Sequence, residues 1–103
     1  MGTGKIAAQV AHAAVMGAEN VKARKRDWFD LWFRGGQAKV VVKVNTMEEL
    51  MDISKRATEM CLPVVQVQDS GLTQIPSGTI TCVGIGPAPS ELVGRITSKL
   101  KLL

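Results

Sequence analysis

Apolar positions in this chain recur at two spacings, one helical and one extended, and the switch between them marks out the elements. From Lys5 the run IAAQVAHAAVMGAENVKARKR is alanine-rich and free of proline, which favours a long helix; Ile6, Val10, Ala13 and Ala14 give it one narrow apolar face. The segment DWFDLWFR (27–34) places Trp28 and Trp32, and Phe29 and Phe33, four residues apart, so it reads as a short helix whose aromatic stripe faces the core, with base binding the less favoured alternative. Gly35-Gly36 ends that helix with a left-handed cap.

Residues 38–44, AKVVVKV, read as a strand. Thr46-Met47-Glu48-Glu49 is a capping box opening a helix to about Cys61, with Leu50, Ile53, Ala57 and Met60 inward. Val64–Val67 and Ile80–Ile85 are β-branched runs bounded by Gly and Pro, hence two further strands. A last helix runs from Ser90 to about Lys99 on an apolar face of Leu92, Val93, Ile96 and Leu100. The strand–helix–strand order over 38–67 predicts parallel strands with a right-handed crossover, and so an α/β domain.

Composition changes this picture little. At 103 residues, 46 % hydrophobic and 21 % charged, the chain is sized for one domain with one modest core. No apolar run approaches a membrane span, and no export signal is visible, so a cytoplasmic setting is expected. A net charge of +4 favours a polyanionic partner without specifying one. The two cysteines, Cys61 and Cys82, belong to no ligand pair, and His12 is the only histidine; metal chemistry has no support, and both thiols are expected to be buried and reduced.

Candidate chemistry gathers at two places. Gly2-Thr3-Gly4-Lys5 before a helix offers backbone amides and one cation to an anion, but it is no Walker motif, since Ile6 stands where a magnesium-binding hydroxyl belongs; an exposed lysine at a frayed end is the plainer alternative. The ten-residue connection between the last two strands carries Asp69, Thr73, Gln74 and Ser77. A carboxylate at the C-terminal end of a strand, followed by hydroxyls and an amide, is where α/β sheets commonly place chemistry, although Asp69-Ser70-Gly71 equally suits a turn. Lys22, Arg24, Lys25 and Arg26 form a basic run that is either a solvated helix end or an RNA contact.

Taken together, MGTGKIAAQVAHAAV (1–15), GGQAKVVVKV (35–44), QDSGLTQIPSGT (68–79), VGIGPAPSELV (83–93) and TSKLKL (97–102) resemble, in order and over nearly the whole chain, the archaeal and eukaryotic type of peptidyl-tRNA hydrolase. That resemblance implies a three-layer α/β/α fold with a small mixed sheet, four-stranded in the family with three strands visible here, and helices on both faces. It implies hydrolysis of the ester joining a peptide to the 3′ end of tRNA, with no cofactor and no metal. Lys5 matches the lysine of the family's MGxGK motif, Asp69 and Thr73 its DxGxT motif, and Thr81 the threonine before GIGP. These four are the expected catalytic residues, with Asp69 orienting or deprotonating water and Lys5 stabilising an oxyanion or holding a phosphate. Gln9 and His12 lie in the matching helix as substrate-binding candidates, and Lys22, Arg24, Lys25, Arg26, Lys39 and Lys43 are expected to contact the tRNA backbone.

Against the family pattern, the chain starts at the Met of MGxGK, so residues 1–103 are expected to be a single domain lacking the family's first strand, as a truncated piece, a short isoform or a wrong gene start. Weak stability, a homodimer through strand exchange, and inactivity from an unanchored Lys5 are the three consequences open at this point. A mitochondrial setting would require a targeting segment missing here. A catalytically silent RNA-binding or protein-interaction domain of the same fold is the alternative function.

Overall fold

Thr3–Arg24 forms α1, and Arg26–Arg34 forms α2 after a break at Lys25. The computed structural model describes residues 1–69 and 78–103. Next come β1 (Val42–Lys43), α3 (Met47–Glu59), β2 (Val64–Gln68), β3 (Ile80–Ile85), α4 (Ser90–Thr97) and β4 (Lys101–Leu102). Both long helices begin and end close to where the sequence puts them, and β3 coincides with its predicted run.

The α3 termini follow their sequence signals. Thr46 caps the helix by accepting from the Glu49 backbone N–H at 3.1 Å, the geometry the capping box predicts. At the other end Leu62 N–H donates to the Ala57 carbonyl and Cys61 N–H to that of Thr58, a Schellman pattern. Cys61 occupies its left-handed position, at φ 60°, where glycine is usual. That position turns its side chain out to solvent and Leu62 in, so the expectation of a buried Cys61 is corrected: Cys61 is exposed, Leu62 is buried, and Cys82 is half-buried.

β2 and β3 pair antiparallel, with Val65 opposite Gly84 and Val64 opposite Ile85. Alternation along the strands then puts helices on both faces of this pair. On one side Gly84 lies against Ala13 of α1, so close that a Cβ there would stand 3.3 Å from the Ala13 Cβ and 3.0 Å from Val65 Cγ2. On the other, Val64 and Ile85 pack on the core of Ile53 and Ala57 from α3, Leu62, and Ile96 from α4. Small residues on α1 permit the close approach. Its buried row is Gln9, Ala13, Gly17 and Val21, with the expected Ile6, Val10 and Ala14 half-buried beside it.

The α/β class holds, but the strand pairing differs from expectation. The strand expected at 38–44 is reduced to β1, and β1 pairs antiparallel with β4 at the chain's end. No parallel pairing with β2 occurs among the described residues. A strand extends only as far as its ladder; β4 is two residues long, one further bond joins Leu103 N–H to the Val41 carbonyl, and Val40 beyond it is exposed. The aromatic stripe of α2 is likewise only partly core. Phe29 is buried, Trp28 and Trp32 are half-buried, and Phe33 is 50 % exposed.

Candidate active site

Two elements meet to build the site, the first turns of α1 and the far end of β2. Lys5 projects from the opening turn of α1, and Asp69 immediately follows β2. Their side chains form an ion pair, Lys5 Nζ to Asp69 Oδ1 at 2.6 Å, with the carboxylate side chain fully buried and the lysine 24 % exposed. The backbone holds Asp69 rigidly. Its N–H donates to the Thr79 carbonyl at 2.9 Å and its own carbonyl accepts from Gly78, extending the β2–β3 ladder past the last strand residue.

One turn along α1, buried Gln9 donates from Nε2 to Thr81 Oγ1 at 2.7 Å, and the Thr81 hydroxyl donates to the Val67 carbonyl at 3.3 Å. Strand parity explains how Thr81 reaches α1. Gly84 faces that helix, so regular alternation turns Cys82 the same way and Thr81 to the opposite face. The register, however, runs from Val67 opposite Cys82 to Gln68 opposite Ile80, leaving Thr81 as the extra residue of a β-bulge. The bulge reverses its side chain and aims the hydroxyl at Gln9. Sequence inspection names Thr81 and Gln9 separately; the bulge that joins them has no signal in the residue pattern.

Lys5 and Gln9 from α1, Asp69 from the end of β2 and Thr81 from β3 are thus brought together. Thr73 lies outside the described residues. His12 is exposed, about two turns beyond Lys5 on α1. The expected tRNA-contacting cations sit elsewhere: Lys22, Arg24, Lys25 and Arg26 at the opposite end of α1, and Lys39 and Lys43 around the start of β1, all exposed. Cys82, next to Thr81, has its thiol pKa raised by burial, which disfavours the thiolate.

The arrangement supplies a cation reachable from solvent, a buried carboxylate and a hydroxyl within one small region. Such a set can hold a water, neutralise a developing oxyanion and fix an ester between them. Among the described residues no three His, Cys, Asp or Glu side chains gather as metal ligands, and no helix is long and apolar enough to cross a membrane.

Comparison with known proteins gives a consistent result. The family model described as "Peptidyl-tRNA hydrolase PTH2" matches residues 1–103. The curated peptidyl-tRNA hydrolase of Thermococcus onnurineus (strain NA1) is 49 % identical over 100 residues, covering 97 % of this chain and 85 % of that protein. Those of Metallosphaera sedula and Saccharolobus solfataricus are each 50 % identical, over 105 and 107 residues; both alignments cover 100 % of this chain, with 90 % and 89 % of the respective relatives.

Proposed function

Because this chain belongs to the peptidyl-tRNA hydrolase PTH2 family, we propose that Lys5, Asp69, Thr73 and Thr81 carry its reaction. That reaction is hydrolysis of the ester between a peptide and the 3′ end of tRNA. The observation that supports the site most directly is the 2.6 Å contact between Lys5 and the buried Asp69 carboxylate. A carboxylate fixed by backbone and ion pair is oriented without having to be ordered when substrate arrives, the condition for positioning a water at an ester carbonyl.

In the reading we favour, Asp69 orients the attacking water and accepts its proton as the oxygen bonds to the carbonyl carbon. Lys5 stabilises the resulting oxyanion. Collapse breaks the bond to the 3′ oxygen of the terminal ribose, which leaves with a proton, giving tRNA and a peptide acid. Thr81, fixed between Gln9 and Val67, holds water or substrate by its hydroxyl, and Thr73 is assigned the same role. Gln9 acts through Thr81 and is a positioning residue, while His12 is placed at the margin of the substrate path. Lys22, Arg24, Lys25, Arg26, Lys39 and Lys43 meet the tRNA backbone.

This scheme uses no cofactor, reads residues 1–103 as one domain, and needs one copy of the chain; no observation supports the homodimer. We place the reaction in the cytoplasm. The silent-domain alternative is less favoured, since the family match runs the length of the chain and the Lys5–Asp69 pair is intact. The test is release of free tRNA from a blocked aminoacyl-tRNA. Turnover by the native chain that collapses in Asp69→Asn is expected; Asp69→Asn turning over at the native rate would overturn the assignment.

A further inference from the structure

The charge of this chain is not spread over it. Between Lys22 and Lys43 there are seven cations and two carboxylates, a net of +5, which leaves the remainder of the chain at −1. One of the two carboxylates, Asp30, is already engaged by Arg26 at 3.2 Å. Concentrated self-repulsion of this kind opposes folding and is relieved by a polyanion.

Four of the seven, though exposed, rest on aromatic rings. Lys25 Nζ lies 4.5 Å from the centre of the Trp28 ring, and Lys39 Nζ 5.3 Å from that of Trp32. Lys22 and Arg26 flank the Phe29 ring at 5.7 and 5.8 Å. Two of the rings are themselves held, since Phe29 is buried and stacks on Phe33 at 5.3 Å and the Trp32 indole N–H donates to the Ala38 carbonyl at 2.8 Å, while Trp28 is half-buried. A lysine that must be immobilised to grip a phosphate loses up to about 2 kcal/mol of rotamer freedom; one already resting on a ring has given up part of that freedom beforehand.

Resting on the peptidyl-tRNA reading above, we propose that the α1–α2 corner is a second RNA contact, in which Trp28, Phe29 and Trp32 hold Lys22, Lys25, Arg26 and Lys39 as a fixed cationic array for the paired stem of the tRNA. From Lys5 to Lys22 is seventeen residues of one straight helix, about 26 Å at 1.5 Å per residue. At that distance from the reacting ester, the array is assigned to the tRNA body and distinguishes full tRNA from short esters. Trp28 and Trp32 are positioning residues that act through the cations on them. An acidic membrane surface is the competing occupant for a basic aromatic helix. Here the cations cover the aromatic faces and the Trp32 N–H is satisfied internally, an arrangement suited to presenting charge at fixed points.

The test compares the native chain with Trp28→Leu, Trp28→Phe, Lys25→Gln and the Trp28→Leu/Lys25→Gln pair. Binding is measured with deacylated tRNA, and kinetics with full blocked aminoacyl-tRNA and with the same ester on a short 3′-terminal oligonucleotide. Trp28→Leu, with every charge retained, is expected to weaken tRNA binding about two- to fivefold, the scale of an exposed cation–π contact, and to raise KM for full tRNA but not for the short ester. Trp28→Phe restores most of the binding. Lys25→Gln lowers the slope of log affinity against log salt by about one. The double variant binds no worse than Lys25→Gln alone, because the ring works through that lysine. Additive losses, equal losses on both substrates, no loss, or anionic vesicles that bind the corner and displace tRNA would each overturn the proposal. Lys25→Gln removes no ring and serves if Trp28→Leu fails to fold. Binding of deacylated tRNA requires no catalysis, so coupling between Trp28 and Lys25 stands or falls separately from the Asp69 assignment.

Discussion

Lys5→Met and Asp69→Asn should both abolish turnover, yet they should differ in what they do to the fold. The Asp69 side chain has no solvent exposure and the Lys5 side chain has 24 %, so the two partners are not equivalent. Removing the lysine takes the cation away from a buried carboxylate. For a fully buried pair that costs about 3–5 kcal/mol. Water entering along the lysine's path recovers part of this, giving about 2 kcal/mol here. Removing the charge from Asp69 instead leaves a cation that swings out to water and an amide of nearly the same shape, a loss of about 1 kcal/mol on the scale of one net hydrogen bond. For a domain of this size 1 kcal/mol moves Tm by roughly 4–5 °C, so Lys5→Met should melt about 10 °C below the native chain and Asp69→Asn about half as far. The double variant should melt above Lys5→Met, since no buried charge then lacks its cation. Thermal melts beside the tRNA-release assay decide it. A double variant less stable than Lys5→Met, or Asp69→Asn the more damaging single change, would refute the reasoning that Lys5 compensates a buried charge.

Two helical glycines should respond oppositely to alanine. Gly17→Ala puts a Cβ 2.9 Å from the Gly86 carbonyl oxygen and should destabilise by about 1–3 kcal/mol, whereas Gly94→Ala meets open space within α4 and should stabilise by about 0.5–1 kcal/mol, both read from urea midpoints. Thr81→Val removes the acceptor of the buried Gln9 amide, and should cost about 1–3 kcal/mol and most of kcat, with Thr81→Ser restoring both because it keeps the hydroxyl. Alkylation followed by mass spectrometry should label exposed Cys61 promptly and Cys82 slowly. Burial raises the Cys82 thiol pKa, so its labelling should turn on only above the ordinary thiol range. The stability gained by keeping that thiol protonated is whole below the ordinary thiol range and declines as pH rises above it.

Local signals were readable in the residues wherever one turn of chain decides the outcome. The Thr46–Glu49 capping box, the Ile80–Ile85 strand and the inward row of α3 all form as their spacing dictates. What escaped depends on a partner distant in sequence. β1 stops at two residues because its ladder partner is β4, sixty positions away and itself two residues long. Cys61 looked like a core thiol by neighbourhood, but the Schellman turn assigns the inward place to Leu62. The aromatic run reads as core by period, and the cations that sit on it, Lys25 on Trp28 and Arg26 on Phe29, are paired only in the structure, since the basic run and the aromatic run read as separate features. At the site, Lys5 and Asp69 were legible as motif members, but their contact across sixty-four residues was not.

One helix ties these pieces into a single device. α1 lies close on the β2–β3 pair because the Ala13 Cβ alone stands against Gly84 and Gly17 meets the Gly86 carbonyl directly. Close packing of this kind resists small displacements, so the helix behaves as a rigid spar. Its first turns set Lys5 against Asp69 and Gln9 against the bulged Thr81, and its last turn delivers Lys22 and Arg24 to the ring-anchored cations of α2. On the proposed reading, the distance between the Lys5–Asp69 pair and the ring-borne cations is therefore set by the length of one helix. A change that tilts α1, such as Gly17→Ala, should disturb both ends together, raising KM for full tRNA and lowering kcat, although Gly17 touches neither site. Measured beside Trp28→Leu, which is expected to move KM alone, this variant separates a fault in the spar from a fault in the grip.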